Sequence, residues 1–260
     1  MSMDDYYALG DKERRNYGVP SIDHAVYSDV NARVILGYAM AFEATGKQAY
    51  IDTATQAAKH LLEERQTEAG WIIQFKPSTE LSADQRIHII TNQPLPYLRT
   101  QAHFGLALMA LYRTTDDPYW RQTAIKVADA LLLKLEDKNI GGFYGAPDDG
   151  TPGRRKPLED NAAAAQFLYL LGVLEKKGGY KVAAERAIRA SASPTAVRRE
   201  GRITGNLAMA LEIITAQYVE FSVVGDADDS RTQALLQAGR SVFEPRKLVH
   251  SESTGRYPRR

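Results

Sequence analysis

The feature that most constrains the fold of this chain is an internal repeat. Residues 29–62 align without gaps on residues 99–132, 70 positions further on, and the aligned pairs include Tyr50 with Trp120. A third copy follows after a further 60 positions, where Tyr180 occupies the same repeat position. Similarity at such spacings is typical of folds that stack one supersecondary unit. The repeat therefore predicts an array of similar units.

Each repeat unit is predicted to be a pair of helices. In the second copy, apolar residues recur at helical spacing within 104–112 and again within 120–131. Turn residues separate the two helices of each unit at positions 46, 116–118 and 178–179. A fourth first helix begins near Ile203 and has no second helix after it. We expect a mainly α fold, a partial (α/α)6-type toroid of about three and a half α-hairpins.

The sequence after Gln217 changes character. A β-branched run at 219–226 is followed by a helical segment at 230–243 and a second run at 246–250. Strand, helix and strand in this order predict a small C-terminal β-α-β appendage. We therefore divide the chain into an α-hairpin toroid over residues 1–217 and a β-α-β tail over residues 218–260 that packs on the toroid.

Composition excludes several classes of protein. The chain has no cysteine, which rules out disulfides, thiolate metal sites and cysteine nucleophiles. Its 33 Lys and Arg residues balance 32 Asp and Glu residues, which argues against a nucleic-acid partner. No metal-ligand spacing links the histidines, no apolar run reaches the ~20 residues of a membrane span, and the acidic start is unlike a secretion signal. We expect a soluble, cytoplasmic protein that has no membrane partner, metal or cofactor.

Polar side chains recur at the predicted starts of the first helices. If these helices line the inside of a curved array, the side chains form a partial ring around a central pocket that suits a polyhydroxylated ligand. Aromatic residues of the long linkers at 66–97 and 138–158 are predicted to stack on sugar faces at the same end. The predicted ligand-binding residues are Asp29, Asn31, Trp71, Tyr97, Arg99, Gln101, Phe143, Tyr144, Asn161 and Asn206.

Helix capping is the alternative explanation of this polar set. Asp, Asn and Thr are the residues that cap helix starts, and the helix dipole favours acidic groups there. For the set as a whole, ligand binding and helix capping both stay open. For Asp29 taken by itself, capping is the better explanation. Arg99 fits capping poorly, because a cation at a helix N-terminus is unfavourable.

Three residues are the candidates for catalysis. Asp160 stands at an apolar helix start, where burial favours the protonated form of a carboxyl group and suits it to donate a proton. His103 lies on an inner helix and suits acid–base chemistry of an epimerase-like kind. Asp149 is the third candidate, although a tight turn explains residues 148–150 better. Glycoside hydrolysis needs two carboxyl groups, and Glu159 adds to their supply.

Several segments together resemble a known family. They are Gly141-Gly142-Phe143-Tyr144, residues 148–150, residues 156–161 and the ordered segments of the tail. This combination is similar to the C-terminal toroid of YyaL-type thioredoxin-domain proteins, whose fold is of the six-hairpin glycosidase kind. The resemblance begins at about Tyr27 and implies a carbohydrate-related pocket. The positions that match the family motif are Asp160, Asn161, Phe143, Tyr144 and Asp149.

The chain also departs from that family. It lacks the N-terminal thioredoxin domain and has no cysteine, so no redox role carries over. Its hairpins are too few to close a ring of six. We therefore expect an open toroid, or a homo-oligomer in which further copies cover the exposed helix faces.

The sequence therefore predicts a pocket at the N-termini of the inner helices that binds a sugar-like metabolite and hydrolyses or isomerises it. The alternative is a catalytically silent module, in which the polar residues are caps and the helix faces serve binding and assembly. The two differ in one structural requirement. A catalytic pocket needs two carboxyl groups, or a carboxylate and His103, that face one cavity.

Overall fold

The computed structural model describes residues 3–18, 25–76, 95–148, 154–226 and 228–252. The helices are α1 (Met3–Ala8), α2 (Asp11–Tyr17), α3 (Ser28–Thr45), α4 (Gln48–Arg65), α5 (Leu98–Thr115), α6 (Pro118–Leu135), α7 (Leu158–Leu174), α8 (Gly178–Ser191), α9 (Pro194–Glu200), α10 (Gly205–Thr215) and α11 (Ser230–Ser241). The strands are β1 (Val219–Val224) and β2 (Lys247–Glu252).

The helices form the predicted array of hairpins. α3 pairs with α4, α5 with α6 and α7 with α8, while α10 is the fourth first helix and runs directly towards β1. The first helices pack side by side in the order α3, α5, α7 and α10. No prediction covered the short helices α1, α2 and α9. Among the helices of the described ranges, none is both long and apolar enough to cross a membrane.

The turns inside the hairpins use residues that accept a left-handed backbone. Gly46 follows the last residue of α3 with a φ of 67°, and Asp116 follows the last residue of α5 with a φ of 57°. Glycine and Asp adopt this conformation more readily than other residues do. The prediction for the third turn is wrong in detail, because the positive φ lies at Lys176 and residues 178–179 already belong to α8.

α7 lies at the centre of the hydrophobic core. Thirteen of its 17 residues are buried, since it packs against α5, α8 and α10 at once. Small residues permit this close packing: alanines fill 162–165 on α7, and Gly105 faces it from α5. A Cβ atom added at Gly105 would lie 2.4 Å from the ring of the buried Phe167. The close approach of α5 and α7 thus requires glycine at position 105.

The tail forms the predicted β-α-β unit. β1 and β2 pair in parallel, with Val219 opposite Lys247, and α11 connects them. α11 packs on α3, and β2 packs on α5. Gln237 of α11 donates a hydrogen bond to the backbone carbonyl of Glu43 at 2.9 Å. The tail therefore lies against the C-terminal ends of the inner helices, and the domain boundary at residue 217 stays a prediction.

Candidate functional site

Gln101 and Asn161 occupy the same repeat position at the starts of α5 and α7, and we call them the repeated amides. They hold the linkers in place. Gln101 accepts a hydrogen bond from the Ile72 backbone N–H at 2.8 Å and donates one to the Ile72 carbonyl at 2.7 Å. Asn161 makes the same pair of bonds with Phe143, at 2.8 Å and 2.9 Å. Both amides are fully buried. The end of a side-chain amide offers a donor beside an acceptor. Such an amide therefore forms two hydrogen bonds to the backbone of an extended residue, as a neighbouring strand would.

Asp29 and Asn31 also serve the local backbone and the linker. The Asp29 carboxylate is buried and accepts a hydrogen bond from Gln74 at 2.5 Å, and its other oxygen lies 3.4 Å from Arg33. Asn31 donates to the Tyr27 carbonyl at 2.8 Å. Neither residue lines the central cavity described below. Neither is a cap, because α3 begins after Tyr27, which makes no side-chain capping bond.

The predicted linker aromatics lie away from the cavity. Phe143 is fully enclosed in the hydrophobic core. The Tyr144 hydroxyl donates to Asp137 at 2.8 Å, and Arg154 lies over its ring at 3.8 Å. Trp71 and Tyr97 are half-buried in the linkers and do not line the cavity either. The catalytic candidate Asp149 lies outside the described residues.

The inner helices surround a cavity of about 1030 Å³. Its polar end lies towards the helix N-termini and consists of the rim cluster, Arg33, Arg99, His103, Glu159, Asp160 and Asn206. Its walls are mainly apolar and include Leu36, Met40, Leu106, Met109, Leu170 and Met209. Charged residues return at the far end in the base cluster, Glu43, Arg113, Arg240, Glu244 and Lys247. Four of the predicted site residues, Arg99, His103, Asp160 and Asn206, are therefore brought together.

Asp160 and Arg99 form an ion pair within the rim cluster. Arg99 Nε donates to Asp160 Oδ1 at 3.0 Å, across the groove between α5 and α7. The Asp160 side chain is 9% exposed and that of Arg99 is 56% exposed. The hydrogen bond and the charge of Asp160 raise the pKa of Arg99. The guanidinium thus keeps exposed donors in the cavity while it fixes the carboxylate.

His103 lies beside this pair, in surroundings that favour the neutral imidazole. Burial lowers its pKa, and the positive charge of Arg33 lowers it further, while Asp160 acts in the opposite direction. A neutral imidazole at pH 7 is able to accept a proton without first losing one. Glu159, next to Asp160, has one buried carboxylate oxygen with no hydrogen-bond partner in the described ranges. The rim cluster thus combines a carboxylate, a proton acceptor and a second carboxyl group in one cavity.

Sequence reasoning missed Arg33 and the base cluster, although the repeat contained a signal for Arg33 and for two members of that cluster, Glu43 and Arg113. The 70-residue offset that pairs Asp29 with Arg99 also pairs Arg33 with His103 and Glu43 with Arg113. Equivalent positions on parallel neighbouring helices face the same cavity. Once His103 is a candidate, the repeat therefore predicts that Arg33 lines the same cavity, and likewise Glu43 and Arg113 are expected to lie together. The apolar walls carry no such signal, since they are indistinguishable from core residues in sequence.

Neither a protein-family model nor a curated protein sequence matches this chain significantly. Solved structures do match. A GH76 α-mannanase from Bacteroides thetaiotaomicron is 19% identical over 64% of this chain and 44% of its own, with a TM-score of 0.53. D-mannose isomerase is 18% identical over 65% and 43%, with a TM-score of 0.50. An inactive α-1,6-mannanase of Salegentibacter sp., in complex with α-1,6-mannotetrose, is 13% identical over 70% and 50%, with a TM-score of 0.52.

These matches define the class of fold. At such low identities the similarity shows the fold alone, and it confirms the (α/α) toroid of the six-hairpin glycosidase kind. The chain spans half or less of the length of these three structures. The comparisons add nothing on thioredoxin-domain proteins, so that resemblance stays a prediction.

Proposed function

We propose that this chain binds a sugar-like ligand in the cavity and hydrolyses or isomerises it by acid–base chemistry at the rim cluster. One observation carries the proposal: Asp160 and His103, from neighbouring helices, line the same cavity. A catalytic pocket requires such an arrangement, which therefore supports the proposal. We further propose that the protein acts in the cytoplasm.

The rim cluster offers a distinct set of residues for each reaction. Isomerisation moves one proton between neighbouring carbon atoms, which one positioned base takes and returns, and a second proton between the oxygens of those carbons, which water carries. The neutral imidazole of His103 suits that role, and the exposed donors of Arg99 suit the oxygen where charge develops. Hydrolysis instead needs a pair of carboxyl groups, which Asp160 and Glu159 supply.

The structural neighbours support both proposed reactions, isomerisation and hydrolysis. They include an enzyme that isomerises D-mannose and mannanases that hydrolyse its polymers. In the Salegentibacter mannanase, the inactive variant carries substitutions at two adjacent aspartates. Glu159 and Asp160 are likewise adjacent acidic residues, at the start of an inner helix.

A ligand-binding and turnover assay tests the proposal. Thermal shift with D-mannose and α-1,6-mannotriose, followed by NMR detection of products, is expected to show binding and turnover by the unaltered chain. Asp160→Asn should reduce turnover by about 10²–10⁴-fold, the usual contribution of a general acid or base. Asp52→Asn is the matched control, because Asp52 is exposed on α4 and outside the cavity.

Two further variants separate the two reactions. His103→Gln should abolish isomerisation and spare hydrolysis, whereas Glu159→Gln should do the reverse. If neither sugar shifts the melting temperature or is turned over, the proposed chemistry is wrong for these sugars. The silent module is then the better description.

The second candidate function is assembly without catalysis. The outer flank of α3 exposes Val30, Val34 and Tyr38, one helical turn apart, to 46%, 52% and 36%. In an open toroid this is the face that a further hairpin or a second copy would cover. Light scattering should then show a homo-oligomer that Val34→Glu dissociates, and a monomer at high concentration would exclude this candidate.

A further inference from the structure

Arg240, in the base cluster, is a buried cation that makes no ion pair within the part of the chain that the structure describes. The residue is 7% exposed and lines the cavity where α11 meets the inner helices. In the part of the chain that the structure describes, its Nε is enclosed and makes no hydrogen bond. Burial lowers its pKa, which the charges of Asp116 and Glu43 oppose without contacting it. The enclosed Nε has lost its hydration without gaining a protein acceptor, and the side chain lines the cavity.

The carboxylates of the base cluster are already engaged by other arginines. Glu43 binds Arg113 through both oxygens, at 2.6 Å and 3.0 Å. Glu244 binds Arg246 in the same two-bond manner, at 2.8 Å for each bond. A carboxylate in a two-bond pair with a guanidinium has its charge matched by that partner, although lone pairs remain on its oxygens. Neither acid is therefore available to neutralise Arg240.

Lys247 adds a second buried cation to the base cluster, next to Arg240. It is 4% exposed, and its ammonium donates to backbone carbonyls at the end of α11, those of Gly239 at 3.2 Å, Val242 at 2.5 Å and Arg240. Burial lowers its pKa; the charges of Glu43 and Glu244 oppose this effect, whereas those of Arg113 and Arg240 add to it. The carbonyls satisfy its hydrogen bonds but leave its full charge in place. The base of the cavity is thus a buried, net positive surface.

We infer that the base of the cavity is a binding site for an oxyanion, a carboxylate or phosphate group, with Arg240 as its principal ligand and Lys247 as supporting charge. A guanidinium offers two parallel donors, which match two oxygens of such a group. The apolar walls above the base would then hold the rest of the molecule. This site is independent of the sugar chemistry proposed for the rim cluster.

Thermal melts with inorganic phosphate and with acetate, at an ionic strength held constant with sodium chloride, test this inference. At least one of the two anions should raise the melting temperature of the full chain in a saturable manner, and comparison of the two identifies the preferred group. Arg240→Met should weaken that anion's apparent affinity at least tenfold. Arg231→Met should not, because Arg231 lies on the same helix but is exposed and paired with Asp229 at 2.7 Å.

Melts without added anion distinguish a binding residue from a structural one. If Arg240 is kept for a ligand, Arg240→Met should melt at the same temperature as the unaltered chain or higher, since an unpaired buried charge is removed. Arg240→Lys should keep part of the anion response, because it keeps the charge and loses the fork. The inference is overturned if neither anion shifts the melt, if Arg240→Met retains the shift, or if Arg240→Met melts lower without anion.

Discussion

Replacing Gln101 by Met tests whether the repeated amides hold the linkers. Methionine keeps the length and approximate volume of glutamine but removes both the donor and the acceptor. Ile72 is fully buried, as Gln101 is. The substitution therefore leaves the Ile72 N–H and carbonyl enclosed without the two bonds of 2.8 Å and 2.7 Å that now satisfy them.

The expected loss follows from these two groups. An enclosed backbone group without a partner costs about 1–3 kcal/mol, so two of them cost about 2–6 kcal/mol. For a chain of this size, each kcal/mol lowers the melting temperature by about 2–4 °C. A loss of about 4 kcal/mol thus corresponds to a decrease of roughly 8–16 °C.

Urea unfolding followed by circular dichroism gives the free energy of unfolding, and hydrogen exchange reports on the Ile72 amide itself. Exchange at that amide should accelerate more than exchange in α7. Gln56→Met is the control, because Gln56 is exposed on α4 and surface substitutions usually change stability by less than about 0.5 kcal/mol. A loss below about 1 kcal/mol for Gln101→Met would refute the proposed role of the amide.

Three further predictions concern packing and charge. Gly105→Ala should destabilise the chain by about 1–3 kcal/mol in urea unfolding, because its Cβ meets the Phe167 ring, and an unchanged midpoint would contradict this. Glu43→Gln should cost about 3–5 kcal/mol by the same measurement, since it leaves Arg113 without its buried partner. The pKa of His103 is below 6.5 in the folded chain. As the pH falls, His103 is therefore protonated in the unfolded chain before it is protonated in the folded chain. Stability should therefore fall as the pH drops below 6.5, and His103→Gln should make that decline shallower.

The order of helices and strands was predictable from sequence because it rests on local pattern. The repeat predicted three hairpins and a fourth first helix, and the change of pattern after Gln217 predicted the β-α-β tail. Apolar spacing of 3.6 residues requires no knowledge of distant contacts. The third turn was misplaced for the same reason, since residues 178–179 suit either a turn or the first turn of a helix.

The composition of the candidate site was only partly predictable, because helix rotation separates residues that are close in sequence. Successive residues turn by about 100° around a helix, so Arg99 and His103 share a face while Gln101 lies about 200° from Arg99. Arg99 and His103 line the cavity, whereas Gln101 turns to the linker. A ring that contains every polar residue at the helix starts is therefore geometrically impossible.

The sequence by itself determined the repeating helical pairs, the tail and the presence of a polar helix start in each unit. Only the tertiary structure decided which polar groups face the cavity and which bind linkers. It also decided the charge at the base of the cavity, where packing of the tail brings Arg240 and Lys247 next to Glu43 and Arg113. Those contacts join segments more than 100 residues apart, and no local pattern encodes them, because they depend on how whole elements pack.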